Sequence, residues 1–188
     1  MEIIACVRET VDGCEVFPME RAEAHRKNVK HIVVRILGFN KEGMLLVQRR
    51  SLSKESHPGM YTDSASGHVL YEEDFSFESI VKSAERELWE EMGVKGLLKL
   101  YLSQMFDEED LELNYVFLAL IEGQPKFNGE VDAEKSGFKT VQQLKSMLEK
   151  EKFVEFAKRL WKKFLEDYPT TEAVKRLAGT MEESSKIN

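Results

Sequence analysis

Arg86-Glu87-Leu88-Trp89-Glu90-Glu91-Met92-Gly93-Val94 is the stretch on which the reading of this chain turns. Phe77, Val81, Ala84, Leu88 and Met92 lead through it at spacings of four and three, which predicts one amphipathic helix over 77–92. Gly93 stands where a left-handed C-cap would end that helix. Glu87, Glu90 and Glu91 fall at i, i+3 and i+4, so their side chains share one flank, bordering the apolar face. The carboxylates are therefore expected at the edge of the core. The pairs Glu87–Glu90 and Glu87–Glu91 repel, at a cost of roughly 0.2–0.5 kcal/mol each even when exposed. A divalent cation would offset that repulsion. Mg²⁺ suits such a site, because it takes carboxylate oxygens, keeps several waters and bridges to substrate phosphates. Taken alone, E-x-x-E-E reads first as a solvated acidic helix face, which is common, so the surroundings have to decide.

Upstream, Ile3 to Val7 is a short apolar run that predicts a strand, with a turn near Asp12-Gly13. His31 to Phe39 is rich in β-branched residues and reads as a buried strand. Asn40-Lys41-Glu42-Gly43 turns the chain into a second strand, Met44 to Arg50. Residues 51–64, largely polar and containing Pro58-Gly59, read as a loop. Two strands are expected after the helix, around 95–105 and 111–121. Phe153, Phe156, Ala157, Leu160, Trp161 and Phe164 then mark a strongly amphipathic helix. The tail from Thr180 is polar and expected to fray.

With 188 residues the chain can bury one sizeable core but is short for two independent domains. Its composition, 42% hydrophobic and 32% charged, is that of an ordinary globular protein. A formal net charge of -7 argues against a nucleic-acid partner, since phosphate backbones reward clustered Lys and Arg. It leaves room for a small anion held by a local basic patch. The opening Met1-Glu2-Ile3-Ile4-Ala5-Cys6 is too short and too soon charged for a signal peptide, and no apolar run reaches membrane-span length. Cys6 and Cys14 read as free thiols, and the chain as a cytoplasmic protein. The expected organisation is a single domain over residues 1–180 and a polar tail over 181–188.

The segment 67–94 resembles the Nudix box, G-x5-E-x7-R-E-U-x-E-E-x-G-U with U aliphatic. Glu78 lies eight residues before Arg86, and Arg86, Glu87, Leu88, Glu90, Glu91, Gly93 and Val94 match their positions. One departure is clear: Gly67 precedes Glu78 by eleven residues rather than six. The loop from Leu70 to Phe77 therefore carries an insertion. Glu73 keeps the spacing to Gly67 and Glu78 the spacing to Arg86; the unbroken helical register favours Glu78. The resemblance covers about residues 1–165. It implies an α/β/α sandwich with a mixed sheet, here with additional C-terminal helices at about 140–180. It implies that Arg86 orients the glutamates and that Glu87, Glu90 and Glu91 hold Mg²⁺ or Mn²⁺, with Glu78 a further candidate ligand. The implied chemistry is attack of water on phosphorus. A cation polarises phosphoryl oxygens and lowers the pKa of bound water, and a glutamate takes the proton. Arg86, Glu90 and Glu91 are the catalytic candidates; Glu90 and Glu130, on the loop Asn128-Gly129-Glu130, both remain open as the base.

Residues 20–70 are similar to one branch of this superfamily, isopentenyl-diphosphate isomerase and its hydrolase-like relatives. The likeness rests on Glu20-Arg21, Ala24-His25, His31, the run Arg49 to Lys54, Pro58-Gly59, Thr62, Ser64 and Gly67-His68. It implies that Arg21, Arg50 and Lys54 grip a diphosphate, with Arg forks matching phosphate oxygens and Lys supplying a compact charge. It also implies a second metal site at His25, His31 and His68, each of which by itself reads as an ordinary surface or core histidine. The isomerases need a cysteine before the Gly-His pair and a glutamate on a later strand. Ser66 stands at the first position, and its hydroxyl is a far weaker acid than a thiol. Glu112 aligns with the second, where an ordinary exposed strand position is the other reading.

The expectation is a Mg²⁺-dependent Nudix pyrophosphohydrolase, a hydrolase acting on phosphorus-containing acid anhydrides. Its substrate would be a small diphosphate such as a nucleoside diphosphate, with no nucleic acid or membrane partner. The runners-up are an isopentenyl-diphosphate isomerase-like enzyme and a catalytically silent Nudix-fold binding module. The helix carrying Trp161 offers a surface for a homodimer, though such helices more often pack on their own domain.

Overall fold

The computed structural model describes residues 2–11 and 13–186. In chain order its elements are β1 (Ile3–Thr10), β2 (Gly13–Glu20), α1 (Arg21–Arg26), β3 (His31–Phe39), β4 (Leu45–Val47) and β5 (Ala65–His68). These are followed by α2 (Phe77–Met92), β6 (Lys95–Asp107), β7 (Glu112–Glu122), β8 (Gly137–Lys139), α3 (Val141–Lys150), α4 (Glu155–Asp167) and α5 (Thr171–Ser185).

β3 organises the sheet. Along one edge it pairs in parallel with β7, from His31 opposite Glu112 to Phe39 opposite Leu120. Along the other it meets β1 at its start, β5 through its middle and β4 at its end, all antiparallel. Both edges are paired and both faces covered, which is why all nine residues are buried and why the run is almost continuously apolar. Side chains alternate across a strand. Ile32, Val34 and Ile36, with Phe117, Ala119 and Ile121 of β7, pack against Ile80, Ala84, Leu88 and Met92 of α2. Leu37 and Phe39, with Val116, Leu118 and Leu120, pack against Leu144 of α3, Trp161 and Phe164 of α4 and Leu177 of α5. The result is a mixed sheet between two helical layers, the α/β/α sandwich expected.

α2 spans the residues its periodicity predicts. Ser76 precedes it, with its N–H donating to Ser79 Oγ at 3.3 Å, and Gly93 ends it at φ 61°, a left-handed conformation that disfavours side chains. The inserted loop before it closes on itself: Tyr71 stacks on Phe75, ring centroids 6.5 Å apart. Elsewhere the structure differs from expectation. The strand after the first hairpin is shorter than Met44–Arg50, because Arg49 and Arg50 leave the sheet to make single bridges with Tyr61 and Val131. β2 and α1 have no counterpart in the sequence pattern. α5 runs to Ser185, past the point where a polar tail was expected, because Met181 is buried against the sheet layer. The turn expected near Asp12-Gly13 falls partly outside the described residues. Trp161 is fully buried, its Nε1–H donating to Thr62 O at 3.0 Å, so that side chain is core and offers no surface to a partner. Among the described residues no helix is long and apolar enough to cross a membrane.

Candidate active site

A cleft of about 410 Å³ opens where α2, the start of β3, β5 and the loop after β4 converge. α2 enters it with Glu87, Glu90 and Glu91, and the placement depends on Gly67 of β5. A Cβ at that position would lie 2.1 Å from the Glu87 carboxyl carbon, so the absent side chain is the space the carboxylate occupies. Arg86 lies behind it, one Nη2 donating both to Glu87 Oε1 at 2.6 Å and to His68 O at 2.8 Å. Arg86, expected to orient the glutamates, is thus in direct contact with Glu87. Glu91 Oε2 accepts from Gln48 Nε2 at 2.9 Å and from Ser66 N–H at 3.1 Å. Glu90 is exposed at the cleft wall.

Burial dominates the electrostatics of this helix flank. It pushes Glu87 up to about 8, opposed by Arg86 and reinforced by Glu91 and Glu90. It pushes Glu91 up to about 7, against the hydrogen bonds from Ser66 and Gln48. Two carboxylates desolvated beside each other destabilise their own charges. A divalent cation fits them, since it supplies the opposite charge that the surrounding protein only partly provides. Glu78 is not brought here. Nine residues before Glu87, it lies about half a turn round the helix on an exposed face, outside the cleft.

The histidines do come together. One ring nitrogen from each of His25, His31 and His68 lies within 4.8 Å of the other two, with His25 Nε2 and His68 Nε2 2.9 Å apart. His31 Nδ1 lies 2.9 Å from Val29 O, a carbonyl that can only accept, so Nδ1 carries the proton. Its Nε2 is left with a free lone pair, buried and without a partner. Burial, then the neighbouring His31 and Arg21, pushes His68 down to about 2, which keeps that imidazole neutral. Three imidazole nitrogens this close together, one ring oriented by a backbone carbonyl, offer the donor set of a transition-metal site.

The basic residues line the same cleft in self-satisfied states. Arg21 pairs with Glu2 at 3.2 Å, Arg50 donates to Ser56 O at 3.0 Å and Oγ at 2.9 Å, and Lys54 Nζ meets Glu130 Oε2 at 2.6 Å. Glu130 is held near by Asn128, whose Nδ2 donates to Glu90 O at 3.0 Å and whose Oδ1 accepts from Glu130 N–H at 2.9 Å. Both candidate bases therefore face the cleft.

Sequence reasoning missed what lies beneath. Arg35 is buried in the middle of β3 and donates to three side chains: Nε to Asn114 Oδ1 at 2.7 Å, Nη1 to Asp63 Oδ2 at 2.9 Å and Nη2 to Glu112 Oε2 at 2.6 Å. Burial works against its charge, and Glu112 and Asp63 more than compensate, raising its pKa above the ordinary value. Glu112 is consequently a buried, anchored carboxylate on the cleft floor, not the exposed strand position that was one reading. An arginine in an otherwise apolar strand was the available signal.

The NUDIX domain model matches residues 29–164, and the chain belongs to the Nudix family. Isopentenyl-diphosphate Delta-isomerase of Serratia proteamaculans (strain 568) is 28% identical over 139 residues, which cover 71% of this chain and 74% of that one. The protein of the same name from Rhodobacter capsulatus is 31% identical over 88 residues, 47% of each chain. Among solved structures, DR0079 from Deinococcus radiodurans shares the fold with a TM-score of 0.64 at 22% identity, over 86% of this chain and 98% of that one. The chain thus lies in a Nudix branch that resembles isopentenyl-diphosphate isomerase.

Proposed function

We propose that this protein is a Mg²⁺- or Mn²⁺-dependent hydrolase that cleaves the diphosphate linkage of a small metabolite, a nucleoside diphosphate being one candidate. The observation that carries this is the meeting in one cleft of the α2 glutamates with Arg50 and Lys54. Glu87, Glu90 and Glu91 would hold the cation, which when bound supplies Lewis acidity toward phosphoryl oxygens and water. Arg86 keeps the Glu87 carboxylate turned toward the cleft. Arg21, Arg50 and Lys54 would exchange their present partners for phosphate oxygens, at little cost where those partners are solvent-exposed. Glu90 or Glu130 would take the proton of the attacking water. The test is product analysis by phosphorus NMR over a panel of diphosphate metabolites with Mg²⁺ or Mn²⁺, which detects a phosphomonoester as well as free phosphate. Cleavage of at least one member, lost on chelation, is expected; no cleavage of any member would defeat the proposal.

A second reading has an observation of its own. Ser66 and Glu112 line the same cleft, close to the histidine cluster, and the curated relatives are named as isomerases. Isomerisation of isopentenyl diphosphate needs proton transfer at carbon, and the Ser66 hydroxyl is too weak an acid for that at neutral pH. Wild-type protein is therefore expected to put no deuterium from D₂O into dimethylallyl diphosphate, and Ser66→Ala to keep diphosphate hydrolysis within a few-fold. Robust label incorporation would reverse the order of the two readings.

The histidine cluster is proposed as a second metal site. Its expected sign is Zn²⁺ or Mn²⁺ retained through purification, at about one equivalent, and lost in His68→Ala. Metal analysis finding none, with hydrolysis unchanged in that variant, would return these side chains to a packing role.

A further inference from the structure

Gln48 leaves β4 directly after Val47 and is buried, 2% exposed, with no part in the apolar core. Its backbone is locked on both sides: its N–H donates to Asp63 O at 3.3 Å, and its carbonyl accepts from Thr62 N–H at 2.9 Å. Its side-chain nitrogen faces two acceptors, Glu91 Oε2 at 2.9 Å and Ser64 O at 3.4 Å. That pair settles which way the amide points. The flipped amide would set its oxygen against a carboxylate and a carbonyl, so the NH₂ group faces Glu91. With Ser66 N–H on the same oxygen, Glu91 Oε2 accepts two donors and Oε1 is the oxygen left free.

Resting on the proposed metal helix, we infer that Gln48 is the positioning residue of Glu91, fixing its carboxylate so that one oxygen stays directed at the cation. A side chain that touches a ligand and not the metal acts through the ligand's orientation and charge. Losses of such partners cost roughly 10–100-fold in metal affinity. Gln48 and Glu91 are 43 residues apart and meet only because the fold packs the exit of β4 beside the end of α2. A purely structural amide, linking β4 to the Ser64 carbonyl, would show itself in stability and leave the metal untouched.

The experiment titrates Mn²⁺ alone into the full chain, reading free Mn²⁺ by electron paramagnetic resonance, beside thermal unfolding without metal. The binding that disappears in Glu91→Gln defines the helix site and separates it from any at the histidines. Gln48→Met removes the donors at similar volume, and its helix-site Mn²⁺ dissociation constant is expected to rise roughly 10–100-fold. Gln48→Glu keeps the shape and turns the donor into an acceptor facing Glu91; at least as large a loss is expected, and this variant answers the question if the methionine variant does not fold. Hydrolysis by Gln48→Met should recover as Mn²⁺ is raised. Helix-site affinity within twofold of wild type in both variants would overturn the inference while leaving the metal helix standing. If Glu91→Gln itself binds Mn²⁺ as wild type does, the metal helix fails and this inference fails with it.

Discussion

Glu91→Gln is expected to lower kcat/KM for diphosphate hydrolysis by roughly 100-fold or more, with the fold retained. A cation ligand contributes several kcal/mol to the transition state, and about 1.4 kcal/mol corresponds to a factor of ten. The substitution removes a charge at nearly constant shape. Because burial pushes Glu91 up to about 7, its ionised form is costly in the free protein, and the amide leaves the fold no worse off. The carbonyl oxygen of the introduced amide can still accept from Gln48 and Ser66. Steady-state kinetics paired with thermal unfolding separates the two effects. Wild-type turnover in both Glu87→Gln and Glu91→Gln would remove α2 from the chemistry.

Arg35→Met is expected to be the most destabilising single change beneath the cleft. It leaves Asp63, which is fully buried, and Glu112, nearly so, as carboxylates without their cation. Breaking a buried ion pair from one side costs about 3–5 kcal/mol, and each kcal/mol shifts Tm by about 2–4 °C in a chain of this size. A fall of about 10 °C is therefore expected by calorimetry. Neutralising the partners in the same background, with Asp63→Asn and Glu112→Gln, should restore part of it, since the penalty lies in the orphaned charges. A fall of less than about 3 °C in Arg35→Met would mean that water reaches the triad and that the pairs are worth no more than surface bridges.

The two expectations differ in how visible their residues were. α2 was legible from end to end because its signals are local. A stripe at spacings of three and four that starts at Phe77, and a glycine after Met92, act over one or two turns, and the structure begins and ends the helix there. β3 was legible for the same reason, as an unbroken β-branched run. β2 and α1 were not. β2 is a half-exposed edge strand with little alternation and a proline, Pro18, and α1 has six residues and no side-chain cap. Both owe their conformation to the neighbours they pair with or pack on. The last turn of α5 likewise follows from the burial of Met181, which a polar sequence does not announce.

The sequence by itself determined the helix that carries the carboxylates, the mixed α/β class and the residue types that would meet a cation and a phosphate. Each of these follows from spacing along a few turns or from a motif contiguous in the chain. Only the tertiary structure decided which of those residues share a cleft. It drew in Glu87, Glu90 and Glu91, left Glu78 on the far face of α2, and gathered His25, His31 and His68 within one ligand's reach. It also set Arg35 against partners 28, 77 and 79 residues away, and Gln48 against Glu91. Burial decides whether a carboxylate is a solvated charge or a strained ligand. Burial arises when distant segments are packed together by the sheet, so no window of sequence contains it.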